Sequence, residues 1–494
     1  MSSGATPALP SFFADFAVSR GKLALARLAI FGVLAVDAVL QLRHAPRYGA
    51  GFNVAHVPGL DALAPGRVGF AVAQVVLALA LAAIAVGVGS RLLVGVTAAT
   101  YAWVYLSSQL DSYQHHYLVM LFLLVSTAVP WFRADAQAPS TAPAGPEPAW
   151  AVRLILLQLA IMYAWAAVAK LEGPWLDGST VARQIAPGLA REGLEWIGVA
   201  RGAKLIVLIE LVLAVTVAVP RLWPVALPVG IALHVGIILS GLEIGVFAWL
   251  MLAMYLLVVP ERWMAPALTA ARRVGAAWPA ASAPALRWLG LAGALAAVVI
   301  VGLVVDVPGA LAGALVGVVL VVGTDLARQR PRRPRLATGL APLLAAGLVA
   351  YLARSHDVVS DYYRFWGGSA RRLGDRASAL HAYQRLTEVD PTNPGGYYQR
   401  GRLLAQAGAG QDPAAAEAAL RRAAALEPTK ARALVELARQ LARAGRPTEA
   451  RVALAEARQR EPAHPELAAV ERALASAGGA GAPDGAEPGP DGSP

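Results

Sequence analysis

Lys170, His115, His116, His234, Glu210, Asp37 and Asp111 lie within, or at the ends of, strongly apolar runs. An ionisable group at membrane depth costs about 3 kcal/mol or more, so each needs a partner or a task. Lys170 closes the fifth of these runs, where an amine can be partly withdrawn from water. Removal from water favours the neutral amine. Tyr163, Trp165 and Trp175 flank Lys170 in sequence and offer it an apolar setting, and a protonated histidine nearby would act in the same direction.

Each residue also has a purely structural alternative. Lys170 can reach to the headgroup layer. His115 and His116 can be interfacial polar residues, and His234 and Asp37 can be satisfied by helix packing. Glu210 could pair with Lys204 along its helix, although that spacing is poor. Asp111 suits a helix cap. A metal site on His115 and His116 is disfavoured, because adjacent helical residues point about 100° apart.

The elements that would position these groups are membrane helices. Of 494 residues, 57% are hydrophobic and 15% charged. The apolar residues are gathered in runs of roughly 17–22, the length of a helical crossing. About eleven runs are predicted to span, at 23–42, 67–88, 91–107, 114–131, 151–170, 203–220, 222–241, 243–259, 288–305, 307–326 and 337–353. The first run is too long for a signal core, and Gln41-Leu42-Arg43-His44 at its end is no cleavage site, so it reads as a retained span. The net charge of +11 sits mostly in the short loops, and no basic face or binding motif suggests nucleic acid. Cysteine is absent, which excludes thiol chemistry and disulfides.

Loop charge sets the orientation. With the N-terminus cytoplasmic, the inner loops hold Arg20, Lys22, Arg27, Arg91, Arg133, Arg153, Arg221, Arg262, Arg272, Arg273, Arg287 and the basic cluster from Arg328 to Arg335. Arg43, Arg47 and the segment from Lys170 to Lys204 are the exceptions. On this reading Asp37, Asp111, His115, His116, Lys170, Glu210 and His234 all lie in the outer half. Glu210 and His234 sit about seven residues, roughly 10 Å, from the outer surface. The segments 136–148 and 279–284 are Pro/Ala-rich and read as irregular loops, and 477–494 reads as a disordered tail.

From about residue 357 to 475 the pattern changes. Ala379, Tyr383, Leu386 and Pro391 recur as Ala416, Leu420, Ala423 and Pro428, then as Ala450, Leu454, Ala457 and Pro462. The repeat periods are 37 and 34 residues, read from Ala379 to Ala416 to Ala450. This resembles the second half of the TPR repeat, in which a small residue admits the partner helix, a large one fills the gap and proline ends the helix. The first-helix positions fit that pattern less well. The expected fold is therefore all-α: a polytopic membrane bundle with a small TPR solenoid, which docks a peptide or protein partner.

Over residues 15–265 the chain resembles the vitamin K-dependent γ-carboxylase family, also called the HTTM (horizontally transferred transmembrane) family. The likeness rests on Gln114-His115-His116-Tyr117-Leu118, on Ala169-Lys170-Leu171 with Pro174-Trp175-Leu176 and Gly178, and on Glu210-Leu211. It continues with His234, Ile244-Gly245-Val246-Phe247 and Met251-Leu252-Ala253. The resemblance implies that Lys170 is the base that deprotonates a reduced naphthoquinone such as vitamin K hydroquinone or menaquinol. It makes His115 and His234 the further catalytic residues. Asp37, Asp111, Gln114, His116, Tyr117, Trp175 and Glu210 would support them or bind substrate. It also implies O2 and CO2 as co-substrates and no metal, with a protein glutamate converted to γ-carboxyglutamate while the quinone leaves as an epoxide. The family's animal enzymes continue into a large luminal β-rich region. Here the three runs within 285–354 and the TPR segment follow instead, and Gln114 stands where asparagine is usual, so quinol oxidation is better supported than carboxylation.

A quinol-dependent membrane enzyme competes with a non-catalytic membrane receptor or assembly module that uses its TPR repeats. A transporter fares worst, because the deeper charges share one half of the bilayer and no inverted repeat is evident. The loop charges predict that a reporter fused after Pro465 is active outside the cytoplasm; activity inside would shift the span count by one.

Overall fold

The computed structural model describes residues 16–49, 51, 54–85, 87, 89–110, 114–132, 147–242, 244, 246–264, 356–406 and 411–479. The expected runs at 288–305, 307–326 and 337–353 lie outside the described residues, as do Asp111, most of the 136–148 loop, the 279–284 loop and the tail beyond 479. The chain divides into two units, Met1–Ser355 and His356–Pro494.

In the first unit, helices form on the first eight apolar runs: α1 (Arg20–Gln41), α2 (Arg67–Ala85), α3 (Arg91–Leu106), α4 (Gln114–Ser126) and α5 (Trp150–Ala169). After α6 (Gly173–Leu176), α7 (Ser179–Gln184) and α8 (Leu189–Ile197) come α9 (Val199–Ala218), α10 (Trp223–Leu239) and α11 (Phe247–Met254). Ser19 starts α1 by accepting a hydrogen bond from the Lys22 amide. Helix α4 stops at Ser126, short of the expected 131, because Pro130 disfavours helix at the residue before it.

Four stretches are long and apolar enough to cross a membrane: Arg20–Arg47, Arg67–Ala85, Trp150–Ala169 and Pro220–Leu239. Helices α3, α4 and α11 are apolar but shorter. Helix α9 is long enough but carries Arg201, Lys204 and Glu210. The count of about eleven is thus not reached among the described residues.

Consecutive membrane helices pack side by side, α5 lies along α9, and α11 returns to α1. Lys22 and the Ser19 amide both reach Glu261, at 3.9 and 3.1 Å, and the Lys22 ammonium lies 4.6 Å from the Trp223 ring centre. A short pair of antiparallel strands, β1 (Ala17–Val18) and β2 (Glu147–Pro148), ties the start of α1 to the start of α5. Lys22 and Arg153, read from sequence as loop charges, are buried here.

The polarity of this unit is inverted relative to a water-soluble protein. Asp37, Gln74, His116, Glu210 and His234 are buried, whereas Ile161, Trp165 and Val168 on α5 and Leu205, Leu208 and Val215 on α9 are exposed. Apolar stripes of this kind on long helices, with the polar groups turned inward, are what a lipid solvent selects.

The second unit is a run of helices: α12 (His356–Arg372), α13 (Arg376–Val389), α14 (Pro394–Ala405), α15 (Pro413–Leu426), α16 (Arg432–Arg443), α17 (Pro447–Arg460) and α18 (Leu467–Gly479). They pack as consecutive pairs, α12 with α13, α14 with α15 and α16 with α17. Ala379, Ala416 and Ala450 are fully buried, as the repeat spacing predicts. The first helices carry a small residue at an equivalent place. A Cβ on Gly367 would lie 2.7 Å from the Tyr383 ring, and one on Gly401 would lie 2.7 Å from Leu420. Asp375, Asn393 and Asp412 cap the helices that follow them, and Asp390, Glu427 and Glu461 end helices just before Pro391, Pro428 and Pro462. Helix α18 runs to Gly479, three residues into the segment expected as tail, because Leu467, Val470 and Leu474 pack onto the last repeat.

Arg446 ties α15 to α17 by reaching Glu417 at 2.7 Å and also Glu449. Its hydrogen bonds hold the Glu417 carboxyl below the usual carboxylate range, against the opposing effect of partial burial. A carboxyl depressed on folding contributes stability that is present above its unfolded value, about 4.3, and is lost as pH falls through its lower folded value. Hydrogen-exchange protection of α15–α17 should therefore hold from neutral pH down to about 4.3 and fall below it. Glu417→Gln should flatten that fall; an unchanged acid profile in the variant would contradict the clasp.

Candidate functional site

Lys170 closes α5. The chain leaves the helix there because Gly173 and Pro174 follow, with Pro174 in the first turn of α6. The Lys170 ammonium donates to both carboxylate oxygens of Glu210, each at 2.8 Å, and to the Ala166 carbonyl at 3.1 Å. The Trp175 ring centre lies 5.3 Å from the same nitrogen. Trp175 is steadied by its own hydrogen bond to the Ala203 carbonyl, at 3.4 Å. Gly178, at φ +84, allows the connecting segment to touch the backbone of Val199 and Ala200. The partner of Glu210 is thus Lys170, across the α5–α9 interface, and not Lys204.

Seven residues before Lys170 on α5, and so on the same helical face, Tyr163 is buried. Its hydroxyl lies 2.7 Å from His234 Nε2 and 3.0 Å from the Tyr255 hydroxyl. Tyr255 enters this position because Gly230 on α10 has no side chain; a Cβ there would lie 2.0 Å from the ring. The Nδ1 atom of His234 is buried and has no hydrogen-bond partner.

The other expected residues form a second group. The Tyr101 hydroxyl lies 2.7 Å from His116 Nδ1, and Gln41 donates to Asp37 at 3.2 Å. Asp37, Gln41, Gln74, Tyr101, Ser108 and His116 share a cavity of about 30 Å³. That volume suits a water molecule and not a bicyclic quinol. His115 stands between the groups, with its ring centre 4.3 Å from His116 and 5.7 Å from Phe247, which in turn lies 6.3 Å from His234. Tyr117 is 48% exposed and stands near Tyr105, so it joins neither buried group. The side chain of Gln114 lies outside the described residues.

The single cluster expected from sequence is therefore divided. Lys170, Glu210 and Trp175 meet at the end of α5, His234 bonds to Tyr163 two helical turns back on the same face of α5, and Asp37 and His116 belong to the α1–α4 cavity. Sequence reasoning missed the hydrogen-bonding roles of Tyr163, Tyr255 and Tyr101. The one signal for Tyr163 was its spacing of two helical turns from Lys170. Chemically, the Lys170–Glu210 pair can hold one proton on either partner, and the Tyr163 hydroxyl can pass hydrogen-bond polarity on to His234. Among the described residues, no three His, Asp or Glu side chains are gathered as a metal ion would require.

No curated protein matches this chain. A solved structure, titled "Crystal Structure of the Yeast Tom70", aligns at 12% identity over 84% of this chain and 93% of its own, with a TM-score of 0.23, too low to inform the fold. The model of the HTTM domain matches residues 17–263. That match takes in every helix from α1 to α11, including both groups of buried polar residues, and covers half of the chain: this protein belongs to the HTTM domain family.

Proposed function

We propose that this HTTM protein is a quinol-dependent membrane enzyme of the γ-glutamyl carboxylase type, with Lys170 as its base and the TPR-like unit as its docking module. The observation that carries the reading is the Lys170 amine, held on Glu210 at a span end with its side chain 22% exposed. It is reachable from outside the bundle and paired within it.

The residues present suit a flat, two-ring phenolic ligand. Trp175 offers a ring face, Lys170 a base and Glu210 a proton acceptor, and exposed Trp165 and Leu171 give an apolar approach from lipid. A reduced naphthoquinone bound there would supply the electrons that reduce O2, and CO2 would supply the new carboxyl group. The chain's own part is proton handling. An ion pair in apolar surroundings is costly, and moving one proton from Lys170 to Glu210 removes both charges at once. That transfer leaves the neutral amine a base requires. Tyr163, two helical turns from Lys170 on the same face of α5, is held by His234 and Tyr255. His115, beside Phe247, would line the approach to His234.

The alternative, a non-catalytic receptor or assembly module, draws on the second unit alone. Its stacked helix pairs form the kind of surface that repeat proteins use to bind partners. The loop charges support a cytoplasmic N-terminus and an extracytoplasmic repeat unit, on the side assigned to Lys170.

The purified protein in lipid nanodiscs, given menaquinol, O2 and bicarbonate, should form quinone epoxide. Lys170→Ala should reduce the rate by about 100-fold or more, the scale of a lost general base. No epoxide from the wild type would overturn the enzyme reading and favour the receptor; equal epoxide from the variant would remove Lys170 as the base.

A further inference from the structure

The repeat unit contains a basic cavity that the membrane chemistry does not use. It has a volume of about 210 Å³ and is lined by Arg371, Gly374, Arg376, Gln399, Arg402, Leu403 and Gln406. Arg371 comes from the last turn of α12, Arg376 from the start of α13, and Gln399 and Arg402 from α14. Three guanidinium groups from three helices thus converge on one hollow. Gly374, at φ +75, makes the tight turn that brings α12 and α13 to the same rim.

The three arginines are not equivalent. Arg376 is committed to the fold, because its Nη2 donates to the Leu403 and Gln406 carbonyls at 2.6 and 2.7 Å. Arg402 lies 4.0 Å from Glu436, a carboxylate that Arg439 approaches more closely, at 3.3 Å. Arg371 is exposed at the rim and touches the Tyr383 hydroxyl. Arg371 and Arg402 therefore keep donors for a ligand while Arg376 holds the wall. The Oε1 atom of Gln399 is buried without a hydrogen-bond partner. An acceptor among arginines calls for a ligand that is both anion and N–H donor.

Size narrows the class. The hollow is smaller than the ~300–1,000 Å³ of a typical small-molecule site. It suits one acidic side chain or a terminal carboxylate with its neighbouring amide. A peptide carries both groups, and a carboxylate matches the arginine fork in bidentate fashion.

We propose that this cavity binds the carboxylate of an acidic peptide, with Arg371 and Arg402 on the carboxylate and the Gln399 oxygen accepting a peptide N–H. The preference for glutamate-rich peptides rests on the carboxylase-type reading; the preference for a peptide carboxylate does not. Tethering an acceptor of glutamate peptides to a membrane enzyme raises the local concentration of substrate without any new contact at the chemical site.

The test uses the intact protein in nanodiscs with a fluorescent oligoglutamate peptide, followed by polarisation. Oligoglutamate should bind and oligoglutamine should not, and Arg371→Gln and Arg402→Gln should each weaken binding about tenfold or more. Arg402→Lys, which keeps the charge but loses the fork, should fall in between. Thermal unfolding of each variant, unchanged from wild type, identifies the loss as local. Equal binding of oligoglutamine, wild-type affinity in the arginine variants, or displacement by equimolar inorganic phosphate would overturn the proposal. Quinone epoxide measured on the same samples separates the two readings. Epoxide without peptide binding overturns the cavity assignment alone, whereas binding without epoxide overturns the membrane chemistry and supports the cavity.

Discussion

A lysine and a glutamate held together inside an apolar bundle constrain everything around them. Charges removed from water are tolerated only as a well-made pair, and removing one partner is far more costly than removing both. The Lys170–Glu210 contact, at 2.8 Å, therefore fixes how α5 lies along α9. Lys170 stands at the end of α5, where Gly173 and Pro174 break the helix, and its amine folds back to the Ala166 carbonyl and across to Glu210. The segment of α6–α8 follows from that end, with Gly178 pressed against Val199 and Ala200.

From the pair, order passes inward along α5. Tyr163 lies on the same face and is held at 2.7 Å by His234 and at 3.0 Å by Tyr255. Gly230 is the condition for that arrangement, because any side chain there would occupy the space of the Tyr255 ring. Two helices, α5 and α10, and the turn at Tyr255 thus meet on one hydroxyl. The His116–Tyr101 bond and the Asp37–Gln41 bond satisfy a different interface, among α1 to α4. Polar groups at membrane depth have been divided among helix contacts, each with a near partner, as the cost of leaving one unsatisfied requires.

Much of this was legible in the sequence where a local rule applies. The apolar runs marked where eight helices of the first unit form, four of them long and apolar enough to cross a membrane, and the recurrence of Ala379, Ala416 and Ala450 marked the second helices of the repeats. Cross-helix partners were not legible. Glu210 is forty positions from Lys170 and Tyr163 is farther still from His234, so no spacing rule connects them; only the packing of α5 on α9 and α10 does. For the same reason the sequence could not show that Asp37 lies beside Gln41 and in the cavity with His116, and not beside Lys170. Gly367 and Gly401 escaped notice because a small residue signals packing only when its large partner, Tyr383 or Leu420, is known. The burial of Lys22 and Arg153 was hidden likewise, since their partners come from Trp223, Glu261 and Phe16.

The account stands or falls on whether Lys170 and Glu210 act as one unit. A double-mutant cycle on the protein in nanodiscs measures this directly, with Lys170→Met, Glu210→Met and both together, read as the free energy of unfolding. The account predicts that each single change destabilises more than the pair of changes, with a coupling of about 1–3 kcal/mol. Single effects that simply add would mean that the two side chains do not depend on each other, and would contradict it.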